Sequence, residues 1–368
     1  METESSLNTG TYIHFESAIT VNTTVATERE MRITNMVKPI LSAEVHDALV
    51  MFSTWTGFFA TVVGMFSNAL VIVTYAKVGF SDTINISYSA LGISDLSTSV
   101  FRCWGTMCYI LVLTNTKVPF DPLSVGITTS FFPGQGFEKT TAFLTAFIAL
   151  ERCLCVQFPL HVKRIVTKKI TVTSIVIIFV FTFAPSNLIH MVYPFKFVYS
   201  PAQNRTILAM IPLQTPLRYI IQRALLAYYG TVLHFTALIV VWICTVFLAV
   251  GLKRTAKIRK DKFKNTSAQQ DTQRGRRVIK TVFLLAVTYL ACSTPIAATM
   301  LVPHFVPEFD STRSLARISA VSHLLSGVMN QINSNTNLFI FLYMGSKFRE
   351  TFLRLFGKKS PIKPGLYS

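Results

Sequence analysis

Residues 224–252 read ALLAYYGTVLHFTALIVVWICTVFLAVGL, with Arg223 before them and Lys253 and Arg254 after. No Asp, Glu, Lys or Arg interrupts the run. As a helix rising 1.5 Å per residue it exceeds the roughly 30 Å hydrocarbon core of a bilayer, which about 20 apolar residues cross. The same criterion applied in both directions finds seven such segments, at roughly 49–76, 85–113, 131–156, 169–193, 224–252, 278–302 and 314–344. The third opens on Ser130 to Lys139, SFFPGQGFEK, where Pro133, Gly134 and Gly136 predict a helix that is broken or begins only near Gly136. The composition agrees with lipid as solvent. Hydrophobic residues make up 51% and charged residues 14% of the chain, against roughly 25% charged in a soluble domain. Thirty phenylalanines and a mean hydropathy of +0.47 exceed what one soluble core of this size buries. Disorder, a disulfide-rich secreted scaffold and a collagenous chain fail on the same figures.

The net charge of +18 would by itself suit nucleic acid or anionic lipid, and position decides between them. With the amino terminus outside, the inner connections hold 21 basic residues, ten of them in 253–277, and the outer side holds ten. The positive-inside bias therefore places the carboxyl terminus in the cytoplasm, and the basic clusters meet the inner leaflet and whatever docks there, so nucleic acid is not an expected partner. Residues 1–48 form an extracellular tail, 49–344 the membrane domain and 345–368 a cytoplasmic end. In that end Phe348, Phe352, Leu355 and Phe356 recur at helical spacing among basic residues, as in a helix lying on the membrane surface. The sequons at Asn22 and Asn204 fall outside in this topology and are candidate glycosylation sites. The expected fold is an all-α membrane protein, a seven-transmembrane helix bundle with a short amphipathic eighth helix.

Polar groups inside a span cost several kcal/mol and need a partner, a wet cavity or a role. Asn68 lies in the first span and Asp95 in the second; Asn333, Ser334 and Asn337 share one face of the seventh, at offsets of three and four. Static interhelical hydrogen bonds are one explanation for such a set. Glu151 and Arg152 end the third span, with Pro159 and Leu160 following, and Cys292 precedes Pro295 in the sixth. Pro295 removes a backbone donor, which predicts a bend there.

Together these residues resemble the rhodopsin-like family of G-protein-coupled receptors, from about Val50 to Phe356. Asn68 and Asp95 resemble its first-helix asparagine and second-helix aspartate. Glu151-Arg152-Cys153 resembles its acidic-arginine-tyrosine motif, with Pro159 and Leu160 at the family's distance. Cys292 and Pro295 resemble the sixth-helix pair, and Asn337-Leu-Phe-Ile-Phe341 the seventh-helix asparagine-proline-x-x-tyrosine motif. Asn-Leu-Phe-Ile-Phe after Asn333-Ser334 is similar to FMRFamide-type neuropeptide receptors and invertebrate chemosensory receptors. The resemblance implies that Arg152 pairs with Glu151 at rest and meets a heterotrimeric G protein when the sixth helix swings. It implies that Asp95, Thr141, Asn333, Ser334 and Asn337, with Asn68 bridging, form a pocket for one allosteric sodium ion at Asp95, with no other cofactor. The chain departs from the family in Ser293, Leu338 and Phe341, which replace a tryptophan, a proline and a tyrosine, and in the absence of cysteine from 114–152 and 191–243. The family's usual disulfide to the second outer loop is thereby lost.

Glu138 and Lys139 precede Arg152 by 14 and 13 residues, about 20 Å along a helix. Arg102 lies two turns beyond Asp95, and His323 and Asn330 continue the seventh-helix face. This mixed-charge depth suits an extracellular peptide or small polar ligand better than a lipid; an ion pair that only stabilises the bundle is the other explanation. The expected function is a plasma-membrane receptor that converts ligand binding into G-protein activation, for neuropeptides or for environmental ligands. A seven-helix channel or transporter is the alternative, although repeat halves are absent. No enzyme motif or metal-ligand spacing occurs.

Overall fold

The first helix is capped by Ser42, whose hydroxyl accepts from Val45 N, and ends where Gly79 turns at φ 90°. This is α1, Ala43–Val78. The structure, a computed structural model, describes residues 40–158, 166–201, 203–262, 266–309 and 314–357, with backbone alone at 254–262, 266–276, 304 and 307. Asn22, Pro159 and Leu160 lie outside the described residues. Beyond the Gly79 turn, whose carbonyl accepts from Asn85 Nδ2, runs α2, Thr83–Leu113.

Helix α3, Pro122–Gln157, corrects the expectation of a break near Gly136. Asp121 caps it through Ser124 N, and Pro122 fills the first turn, where a missing N–H costs nothing. Five residues, Ile127–Phe131, widen to π geometry just before Pro133. There the hydroxyls of Thr128 and Thr129 bond the carbonyls of Ser124 and Val125, and Ser130 Oγ crosses to Phe101 O at 2.6 Å. The backbone widens just ahead of the proline, and the helix passes through it without a break. Gly136 then lets α4, Lys168–Val192, come close: an added Cβ would stand 3.2 Å from Phe183 Cα.

Between α4 and α5 the chain forms a hairpin, β1 Phe195–Ser200 and β2 Arg205–Met210, antiparallel from Phe195 opposite Met210 to Ser200 opposite Arg205. It is the one strand pair among the described residues, and an otherwise helical expectation did not include it. All six cysteines are free, so no disulfide holds it. Backbone bonds do so instead: Asp121 N donates to Leu208 O at 2.7 Å, Leu208 N to Pro119 O at 3.0 Å and Leu213 N to Val192 O at 2.9 Å. Below them Val125, Phe132, Ile189, Met210, Leu225 and Leu233 are buried together. At about 1.5–3 kcal/mol per fully buried aliphatic side chain, two of these match the roughly 2–4 kcal/mol of a disulfide.

Helix α5 starts at Pro216, eight residues before the expected span, passes a π segment at Ala227–Leu233 and continues as His234–Lys262. Helix α6, Thr266–Phe305, runs through both Pro295 and Pro303; α7 is Ala316–Met344 and α8 Ser346–Leu355. Contacts close a ring in which α1 meets α2 and α7, α3 meets α2, α4, α5 and α6, and α6 meets α7. Large apolar side chains such as Phe66, Ile177, Val180 and Trp242 face outward, while Asn68, Asp95, Gln331 and Asn337 are buried. That arrangement inverts a soluble protein and fits hydrocarbon surroundings. Among the described residues six helices are long and apolar enough to cross a membrane. α7 equals them in length, but the stretch from Asn330 to Asn337 dilutes its hydropathy.

Phe341 is 1% exposed and lies among Tyr75, Tyr88 and Phe348, with ring centroids 5.3, 4.6 and 5.6 Å away. This aromatic knot fastens α8 to α1, α2 and α7. Farther along, Gly64 of α1 faces a polar seam in which Gln331 Nε2 donates to Ser99 Oγ at 2.8 Å and Asn335 Nδ2 to Ala60 O at 2.9 Å. A Cβ on Gly64 would stand 2.3 Å from Gln331 Nε2 and 2.8 Å from Ser99 Oγ. Gly64→Ala is expected to cost about 1–3 kcal/mol, read as a lower thermal midpoint of purified protein; an unchanged midpoint would mean the seam is not packed this tightly.

Candidate functional site

Asp95, 1% exposed at the middle of α2, has both carboxylate oxygens bonded. Thr141 of α3 donates to Oδ1 at 2.8 Å and Asn337 Nδ2 of α7 to Oδ2 at 2.7 Å. Asn68 of α1, fully buried, donates to Ser334 Oγ at 3.0 Å and to Gly64 O at 3.0 Å. Asn333 is buried beside Ser334. The structure therefore brings together all six residues that the sequence grouped here, from four helices. Their donor set fits a small hard cation: one carboxylate, the hydroxyls of Thr141 and Ser334, and the buried Asn68 Oδ1, which has no hydrogen-bond partner among the described residues.

A cavity of about 30 Å³ leads from Asp95, Thr141, Asn333 and Ser334 towards the hairpin end of the bundle. At its far end Glu138 bridges two cations, Arg102 Nη2 at Oε2 and Lys139 Nζ at Oε1, the latter at 3.1 Å. Lys139 is 4% exposed and its Nζ also lies 3.4 Å from His234 Nδ1. Asn330 lines the cavity, as do Tyr289, Ser293 and Gln331. His323 does not: it is exposed and lies outside the lining, a correction to its grouping with the pocket. Arg102 explains why, because its Nη1 closes against α7 at Gly327, where a Cβ would be 3.2 Å away. The helical face continues to His323, but the cavity stops at Asn330, about two turns short of it.

His234 is a member of the site that the sequence grouping lacks, although an ionisable residue within the most apolar run carries the signal that marks intramembrane function. Ser293 was legible only as a departure. In the structure its short side chain leaves part of the cavity open.

At the opposite end of α3, Arg152 Nη2 pairs with Glu151 Oε1 at 3.0 Å, and Thr83 Oγ1 donates to the same oxygen at 2.8 Å. Arg152 Nε and Glu151 Oε2 have no hydrogen-bond partner among the described residues. Cys153 Sγ donates to Cys244 O of α5 at 3.2 Å, and Val156 fills the space beside Gly251. Cys292 is buried in α6, one turn from the unbroken passage through Pro295. Asn204 lies exposed in the hairpin turn, at φ 50°, where Tyr199 donates its hydroxyl to Asn204 Oδ1.

The family model described as serpentine type 7TM GPCR chemoreceptor Srw matches residues 55–359. Neuromedin-U receptor 2 of Mus musculus is 24% identical over 306 residues, which cover 79% of this chain and 71% of that receptor. The galanin-like G-protein coupled receptor npr-9 of Caenorhabditis elegans is 21% identical over 318 residues, 80% of this chain and 70% of its own. Neuromedin-U receptor 1 of Mus musculus is 31% identical over a shorter stretch of 140 residues, 34% of this chain and 32% of its own. The family match runs from within α1 to beyond α8 and takes in every helix of the ring, the Asp95 cluster and the Glu151–Arg152 pair, so the chain belongs to the Srw family of serpentine seven-transmembrane G-protein-coupled chemoreceptors.

Proposed function

We propose that this receptor sits in the plasma membrane with residues 1–48 and the hairpin outside, takes an extracellular peptide or small polar ligand at the Arg102–Glu138–Lys139 end of its cavity, and activates a heterotrimeric G protein at Arg152. The observation that carries the reading is the buried polar track. It begins at Glu138 and Lys139, passes Asp95 and Asn337, and shares α3 with Glu151 and Arg152. The peptide names borne by its relatives, neuromedin U and galanin, support a peptide; the family's description supports chemoreception.

Ligand binding acts by differential affinity for two arrangements of the bundle. Pro295 leaves one α6 carbonyl without its helical donor, so the halves of α6 on either side of Cys292 and Pro295 are the natural pivot. Release of Arg152 from Glu151 leaves that carboxylate the Thr83 hydroxyl. A sodium ion held by Asp95, Thr141, Ser334, Asn333 and Asn68, with Asn337 bonded to the same carboxylate, would supply a counter-charge and favour the resting arrangement. Glycans on Asn22 and Asn204 are compatible with their outside placement.

The test is nucleotide exchange on purified heterotrimers of several subtypes, with the receptor in nanodiscs. Exchange above that of empty nanodiscs is expected for at least one subtype. Ion flux through the purified protein in liposomes, with no exchange on any subtype, would favour the channel instead. In an active system Asp95→Asn is expected to abolish the dependence of exchange on sodium at fixed ionic strength. A sodium effect that survives would remove the ion from Asp95.

A further inference from the structure

The three charges at the hairpin end of the cavity do not balance: Arg102 and Lys139 share the single carboxylate of Glu138. Asp95 is the other carboxylate lining the cavity. It lies seven residues from Arg102 along α2, about 10 Å away, and both its oxygens are already bonded by Thr141 and Asn337. The donors and acceptors are equally lopsided. Each oxygen of Glu138 is engaged by a cation, so an incoming ammonium group would first have to break an ion pair. Arg102 carries five N–H donors, of which Glu138 takes one. Its side chain is 26% exposed, against 13% for Glu138 and 5% for Lys139, making it the accessible member of the cluster. Lys139 has no acceptor, so His234 Nδ1 accepts from it and His234 Nε2 carries the ring proton. That nitrogen is buried without a close hydrogen bond, beside the Ser293 backbone. What this end still offers is positive charge and N–H groups.

We infer that the Arg102–Lys139–His234 end of the cavity recognises a carboxylate, with the Arg102 guanidinium as its first contact and Glu138 holding the two cations in place. The inference rests on the receptor reading for its location and adds the chemical class of the ligand. An arginine fork matches a carboxylate with two parallel hydrogen bonds, and a charge-assisted pair in a low-dielectric site is strong enough to select acid over amide. The free volume of about 30 Å³ admits one or two waters. Only the end group of a ligand enters without rearrangement. A small organic acid and a peptide with a free carboxyl terminus present the same end group, whereas an amidated peptide does not.

The test uses the full-length receptor in nanodiscs, its thermal unfolding followed by tryptophan fluorescence in potassium buffers of fixed ionic strength. The probes are propionate, propionamide and propylammonium, with tetra-alanine as free acid and as carboxyl-terminal amide. Propionate is expected to raise the midpoint saturably and the other two small probes to leave it unchanged. A shift with the tetra-alanine acid but not its amide identifies a peptide carboxyl terminus as an acceptable source; a shift with propionate alone restricts the site to small acids. Arg102→Gln is expected to weaken propionate about tenfold or more, and Arg102→Lys, which keeps the charge without the fork, by less. If Arg102→Gln does not fold, the wild-type acid, amide and amine series together with Arg102→Lys still decides. Stabilisation by propylammonium, equal stabilisation by propionate and propionamide, or undiminished propionate binding in Arg102→Gln overturns the inference. Absence of any propionate effect in a receptor that drives nucleotide exchange also overturns it and leaves the receptor reading standing. Propionate binding in a protein that drives no exchange does the reverse.

Discussion

Arg152→Ala is expected to lower nucleotide exchange at least about tenfold, a loss of about 1.4 kcal/mol or more in coupling to the G protein, while the receptor still reaches the cell surface. The guanidinium sits at the end of α3 paired with Glu151 at 3.0 Å, and its Nε is without a hydrogen-bond partner among the described residues. A donor that is buried yet incompletely bonded gains most from a docking partner that supplies acceptors. Folding suffers less, because Glu151 keeps the hydroxyl of Thr83 at 2.8 Å. Glu151→Gln is the complementary change. It weakens the resting pair and is expected to raise exchange without ligand. Exchange unaltered in Arg152→Ala, at equal surface density, would place the coupling surface elsewhere.

The second large effect concerns Glu138. Glu138→Gln leaves Arg102 and Lys139 facing each other without the carboxylate that now joins them, and Lys139 is 4% exposed. Breaking a buried charge cluster by removing one partner costs about 3–5 kcal/mol, far more than an exposed pair is worth. The expected readout is a large drop in thermal midpoint, partly recovered by Glu138→Gln combined with Lys139→Met, since the double change removes the uncompensated ammonium. A loss under about 1 kcal/mol would show that water reaches and screens these charges.

The spans were legible because a bilayer imposes a length that apolar runs either meet or miss. Their ends were not, since irregular turns are stabilised by neighbours that sequence spacing does not reveal. Pro133, Gly134 and Gly136 read as a break, yet the backbone widens to π geometry over Ile127–Phe131 and α3 continues through them, while Ser130 ties the widened turn to Phe101 O of α2. The hairpin at 195–210 has its own pattern, strand-forming residues around Pro201 to Asn204, but the composition of its surroundings drew attention to helices alone. Within the site, Asp95, Asn337 and Arg152 stood out because ionisable and amide groups are costly in a span. Gln331 and His234 carry the same signal and belong to the same cavity, without a motif around them that singles them out. His323 shows the limit of reading a helical face: periodicity gives direction, and only the Arg102 side chain lying against Gly327 shows where the cavity ends.

The seven-crossing architecture depends on α7, which carries Gln331, Asn333, Asn335 and Asn337 through the bundle and is more polar than the six helices that meet the apolar criterion. Epitopes placed in the tail before Ala43 and after Leu355 decide whether it crosses. Antibody is expected to reach the first on intact cells and the second only after permeabilisation; detection of both on the same side would contradict an odd number of crossings and with it the placement of ligand and G protein on opposite faces.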